Sequence, residues 1–211
     1  MATVIPVPIG PRKLEGELCL ADSPDGIVVF AHGSGSSRRS DRNRHVAEAL
    51  QREGLGTLLF DLLTEKEATD RSNVFDIPLL AQRITEAIDA LHVEHGQPIG
   101  LFGASTGGGA ALFAAARRPQ AVRAVVVRGG RPDLAGDALR CVKPPSLLIV
   151  GGADTEVLAL NRAAFAQLQC EKQLEIVPGA AHLFAEPGAL QAVARLASAW
   201  FVRHLRGGLT S

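Results

Sequence analysis

Six apolar runs of strand length, set apart by segments with helical spacing, constrain this chain more than any other feature. The runs are GIVVFAH (26–32), TLLFD (57–61), PIGLFG (98–103), AVVVR (124–128), SLLIVGG (146–152) and QLEIV (173–177). Near-continuous apolar runs suit strands buried on both faces of a parallel sheet, where no face alternates with water. Between them, residues 41–53 place Val46, Ala49 and Leu50 on one helical face. Residues 77–95 repeat Leu80, Ile84, Ala87, Ile88 and Leu91 at spacings of three and four, and Gly96-Gln97-Pro98 stops them. Residues 106–118 are alanine-rich up to Pro119, and 155–169 and 187–206 complete the helices. Two short strands, 3–9 and 13–20, precede all of this as a hairpin turning at Gly10-Pro11 at a sheet edge. The expectation is one α/β domain over residues 1–211, with a mostly parallel sheet flanked by helices.

Composition limits what such a domain does. With 211 residues and 46% hydrophobic content, the chain can bury one sizeable core. Its 22 basic and 22 acidic residues cancel, so no global field draws it to nucleic acid or an anionic membrane. No apolar run approaches the ~20 residues that cross a bilayer. The start MATVIPVPIGPRK, broken by Pro6 and Pro8, does not read as a signal peptide. Cys19, Cys141 and Cys170 are odd in number and lack metal-ligand spacing, which predicts neither a disulfide framework nor a zinc site. The expected location is therefore the cytoplasm, and the expected partner is a small molecule, with the oligomeric state open.

Ser105 concentrates the functional argument. Gly103-Ala104-Ser105-Thr106-Gly107 is a Gly-x-Ser-x-Gly pattern at the point where an apolar strand becomes a helix. A serine in a tight positive-φ turn exposes its hydroxyl, and glycines two residues to either side avoid clashes with strand and helix. The competing reading is a helix N-cap serine.

A serine hydroxyl attacks an acyl carbon only if a base takes its proton, and an acid must orient that base. In this architecture the chain order is serine, acid, histidine. Beyond Ser105 stand two histidines. His204 falls inside the terminal helix, whereas His182, in PGAAHLF, follows a strand at the carboxyl edge, so His182 is the expected base. For the acid, Asp154 follows SLLIVGGA in a tight turn into a helix and is favoured. Asp133, in RPDLAGDAL, competes for the role but suits a helix cap. Oxyanion donors are expected at the backbone N–H of Thr106, opening a helix, and of Ser34, in the glycine-rich loop His32-Gly33-Ser34-Gly35-Ser36-Ser37. Neither GxGxxG nor GxxxxGK[ST] is present to mark a nucleotide-phosphate loop.

On FAHGSGSS, GASTGG, GGADTEV and PGAAHLF, in that order, the chain resembles the α/β-hydrolases, on the dienelactone-hydrolase-like side. The resemblance spans nearly the whole chain and implies the α/β-hydrolase fold, a serine-hydrolase chemistry and no metal or organic cofactor. Dienelactone hydrolases use a cysteine nucleophile where this chain has Ser105, which argues against dienelactone as the substrate. Similar domains carrying an HGSGSSR…DLLT pattern occur fused to phosphoribosyltransferases, but this sequence has no phosphoribosyl-binding segment. The expected activity is cleavage of a small soluble ester through an acyl-enzyme. Acyl transfer to another acceptor, thioester cleavage, and a binding protein that keeps the fold are the alternatives.

Two further expectations concern the rim of the site. The interval 129–145 has room for one short helix and no cap domain. Arginines gather at strand ends, and Arg128, closing a buried strand, must be paired or aimed at the site. It either pairs with Asp133, Asp61 or Glu65, or joins Arg38 in holding an anionic group of the substrate. Asp61, ending TLLFD, is expected to serve as a loop-start carboxylate.

Overall fold

The computed structural model of the protein describes residues 3–20 and 24–206. Eight strands form one sheet: β1 (Thr3–Ile9), β2 (Leu14–Leu20), β3 (Ile27–Ala31), β4 (Gly56–Phe60), β5 (Ile99–Ala104), β6 (Val122–Arg128), β7 (Ser146–Gly151) and β8 (Lys172–Val177). Their order is β1-β2-β4-β3-β5-β6-β7-β8. β1 pairs antiparallel with β2, and β2 with β4; every other pairing is parallel. The fully apolar runs account for the parallel part, since β3, β4, β5 and β7 are buried at every position. β8, at the outer edge, keeps exposed positions because no strand lies beyond it.

Among the described residues there are six α-helices, α1 (Asp41–Arg52), α2 (Glu65–Ala68), α3 (Ile77–His95), α4 (Thr106–Arg117), α5 (Thr155–Gln167) and α6 (Ala189–Arg206), and all but the short, unburied α2 cover the sheet. Parallel crossovers are right-handed, so the direction of each step between strands decides which face its helix covers. From β3 the chain steps one way to β4 through α1, then back past β3 to β5 through α3. The two helices therefore lie on opposite faces. Val29, Leu101, Val125 and Val127 face one core with α3 and α4. Their strand neighbours Val28, Phe30, Phe102 and Val126 face the other, with α1 and α6. The reversal of direction at β3 opens a crevice beyond the carboxyl ends of β3 and β5.

Sequence spacing overruns two helices. α5 stops at Gln167 because Leu168 turns extended (φ −60°, ψ 136°), and α6 begins at Ala189, after Gly188 takes a φ of 80°. α2 was not foreseen: four residues show no period, and a capping box between Thr64 and Glu67 supports it. The interval 129–145 holds a short 3-10 segment, Pro132–Cys141, packed on α4. No cap domain stands over the strand ends among the described residues.

Candidate active site

Ser105 sits between β5 and α4 with φ 51° and ψ −125°. A left-handed φ on a residue with a side chain costs on the order of 1–3 kcal/mol, so the surroundings must enforce it. Its carbonyl accepts N–H groups from Gly108 and Arg131, both at 3.0 Å, and its own N–H points to the Arg128 carbonyl at 3.4 Å. A Cβ on Gly103 would lie 2.5 Å from the Gly107 oxygen, and one on Gly107 only 2.2 Å from the Ala31 oxygen. The flanking glycines are thus demanded by close approach. The Ser105 side chain does not cap α4, contrary to the N-cap reading.

Asp154 occupies the N-cap position of α5, yet its side chain makes no capping bond. Its carboxylate instead lies 2.7 Å from His182 Nδ1, which leaves Nε2 as the ring atom available for a proton. Two loops are fastened together to hold this contact. The Ala153 N–H donates to the Ala180 carbonyl at 2.9 Å, and the Gly152 N–H to the Val177 carbonyl at 2.8 Å. Gly151 permits the approach, since a Cβ there would meet the Ala180 oxygen at 2.2 Å. Gly129, one residue past β6, brings the His182 loop against the turn that carries Ser105: its Cβ position is 3.1 Å from the His182 carbonyl. Asp133 takes a different course, with both carboxylate oxygens on the Arg131 guanidinium at 2.9 and 2.7 Å.

The Thr106 N–H opens α4, where no intrahelical acceptor exists and the helix dipole favours negative charge. The Ser34 N–H, expected to stand open toward the site, donates to Thr106 Oγ1 at 2.9 Å. The two expected donors are therefore coupled through one threonine side chain. Behind them, His32 joins two loops: Nε2 accepts the Leu62 N–H at 3.1 Å and Nδ1 lies 3.0 Å from the Gly33 carbonyl. Both bonds form only with a neutral ring protonated at Nδ1, and burial lowers the His32 pKa accordingly.

The arginines need correction. Arg38 is no free anion binder. Its guanidinium pairs with Asp61 and Glu15, with Glu17 at 3.6 Å, and Asp61 also accepts its backbone N–H at 2.8 Å. Burial works to lower the Arg38 pKa, but these carboxylates carry it upward. Asp61 is therefore a loop clamp. Arg128 forms no ion pair with Asp133, Asp61 or Glu65; Asp133 holds Arg131 and Asp61 holds Arg38. It is 6% exposed, and among the described residues its one side-chain hydrogen bond runs from Nη2 to Asn43 Oδ1 at 3.3 Å. Asn43, in the first turn of α1, carried no sequence signal; neither did Asn161, whose buried Nδ2 braces the Gly130 carbonyl at 2.9 Å.

A cavity of about 400 Å³ opens beside Ser34 and Thr106, with Leu62, Leu63, Val74 and Leu80 among its apolar lining. It lies on the α3 side of the nucleophile.

Known proteins agree with this architecture. Residues 26–179 match the α/β hydrolase fold family, and the chain belongs to it. More particularly, it resembles the crystal structure of dienelactone hydrolase from Anabaena variabilis, at 56% identity and a TM-score of 0.92 over 98% of this chain and 99% of that one. A serine hydrolase without a lid from Xanthomonas campestris shares the fold at 18% identity and a TM-score of 0.77, over 96% of this chain and 94% of that one. A Mycobacterium tuberculosis protein, provisionally named a phosphoribosyl transferase, is 56% identical over 206 residues, 96% of this chain. The chain spans about half the length of that relative (46%). The family and the neighbour at 56% identity support a hydrolase.

Proposed function

We propose that the protein is a serine esterase acting on small, soluble esters through an acyl-enzyme. Ser105 Oγ attacks the acyl carbon as His182 Nε2 takes its proton. Asp154 keeps the imidazole oriented and stabilises its charged form. The Thr106 and Ser34 amides receive the oxyanion, the second by sharing its N–H between Thr106 Oγ1 and the substrate oxygen. The imidazolium then protonates the leaving alcohol, and water, deprotonated by His182, releases the acid. The chemistry calls for no metal or cofactor. That all eight strands join one sheet supports reading residues 1–211 as one catalytic domain.

The observation that carries this reading is the 2.7 Å contact of His182 with an aspartate that forgoes capping its own helix. The open strand ends favour soluble substrates without interfacial activation: rates on a long-chain ester should not jump above its critical micelle concentration. Ser105→Ala should abolish hydrolysis of a short chromogenic ester and labelling by a fluorophosphonate, while circular dichroism stays native. A label that persists on the variant, at Ser34 or Ser36, would sink the assignment.

A further inference from the structure

A second hollow, of about 320 Å³, lies between the first turn of α1 and the segment leading into α6, lined by Arg42, Phe184, Glu186 and Gln191 among others; Arg128 is not on its wall but lies behind Phe184, which is. Strand alternation points Arg128 to this side, the face of Val126 and the α1–α6 core. Its guanidinium carbon lies 5.7 Å from the centre of the buried Phe184 ring, two residues beyond His182. Two observations there lack an explanation within the chain. First, Arg128 is buried with no carboxylate partner among the described residues, and its Nε has no hydrogen-bond acceptor. Second, the charge that acts on it is another arginine's: burial first, and then the charge of Arg42, lowers the Arg128 pKa to about 10. The Nε of Arg42 is likewise buried without an acceptor. A buried guanidinium that feels a second, half-buried one is costly unless an anion joins them.

We propose that Arg42 and Arg128 form an anion subsite beside the nucleophile, taking the phosphate of a phosphorylated ester substrate. Two guanidiniums match a phosphate dianion better than a single carboxylate, and each can offer paired N–H donors to its oxygens. A substrate would then straddle Ser105, with its apolar arm in the cavity on the α3 side and its phosphate on the α1 side. This deepens the esterase reading and rests on it for the position of the ester. Glu186 is the one acidic residue among those lining the hollow. Its Oε2 is buried without a partner, and it pairs with neither arginine.

Binding is measured by calorimetry and thermal shift in chloride buffer at fixed ionic strength, with inorganic phosphate, phenyl phosphate and benzoate as probes. Both phosphates should bind and raise the melting temperature of the wild type, benzoate much less. Arg42→Met and Arg128→Met should each weaken phosphate binding about tenfold or more. Without anion, Arg128→Met should melt no lower than wild type, because it removes an uncompensated buried charge. Glu186→Gln should bind phosphate at least as tightly, having lost a repelling neighbour. The proposal is overturned if no probe shifts the wild type, or if Arg128→Met and Glu186→Gln both melt lower, which makes Glu186 the native counter-charge. Benzoate binding as well as phenyl phosphate overturns the assignment to phosphate. Since binding is read without turnover, phosphate binding without ester cleavage would sink the esterase reading alone. Ester cleavage without anion binding would sink this proposal alone.

Discussion

Arg38 and Arg128 both stand on the carboxyl side of an apolar strand, Arg38 beyond the glycine-rich loop after β3 and Arg128 as the last residue of β6, and the fold treats them oppositely. Arg38 is surrounded by Glu15, Glu17 and Asp61, and so ties the loop after β3 to β2 and to the end of β4. Arg128 is more deeply buried, meets Asn43 and an aromatic ring, feels the charge of Arg42, and has no carboxylate partner among the described residues. A charge matched by the protein belongs to the scaffold, and its removal costs stability. A buried charge that the protein leaves unmatched destabilises the free fold, and its removal shows in binding. The same division separates Asp133, taken up by Arg131, from Asp154, which forgoes its helix for His182.

The aspartates give the largest test of that division. Asp154→Asn should lower kcat on the order of ten-thousand-fold, because the amide cannot hold the imidazole in the productive tautomer. Asp133→Asn should leave kcat within a few-fold, since it loosens only a half-exposed ion pair. Steady-state kinetics on one ester compares them, and the reverse ranking would exchange their roles.

Arg38→Met comes next. It leaves the shielded Asp61 and Glu17 carboxylates without the guanidinium, while the exposed Glu15 returns to water, and should lower unfolding free energy by roughly 1–3 kcal/mol in urea denaturation. An unchanged midpoint would mean that Arg38 is not part of the scaffold.

His32 should make that same scaffold sensitive to pH. Its folded pKa lies below the ordinary value of 6.5, so the unfolded chain binds its proton more readily. The His32 contribution is complete above pH 6.5 and declines as pH falls below it, levelling off once the folded pKa is passed. Urea midpoints taken from pH 7.5 to 5 should fall more steeply for the wild type than for His32→Asn. Parallel slopes would show that the ring does not titrate between the two loops.

Thr106→Val has the smallest expected effect, about fivefold in kcat with KM unchanged, for the loss of a bond worth ~1 kcal/mol that positions the Ser34 amide. Thr106→Ser should restore it. A change confined to KM would assign the threonine to substrate binding instead.

Much of this was legible along the chain because it depends on local pattern. Apolar runs buried on both faces mark β3 to β7, the small residues around Ser105 mark a turn that must pass close to its neighbours, and the positions of Asp154 and His182 after successive strands mark them as candidates for one edge. What the sequence by itself determined is therefore the kind of sheet, its helical covering and the residues eligible for the site. Partnership is a different matter. Whether Asp154 caps a helix or turns to His182, whether the Ser34 amide is open or held by Thr106, and which arginine keeps an unmatched charge depend on contacts between residues far apart in the chain, such as Arg38 with Glu15 and Arg128 with Asn43. Short-range spacing holds no information on such pairs. Only the tertiary structure, by fixing which loops meet at the crevice beyond β3 and β5, decided which charges are matched within the chain and which are not.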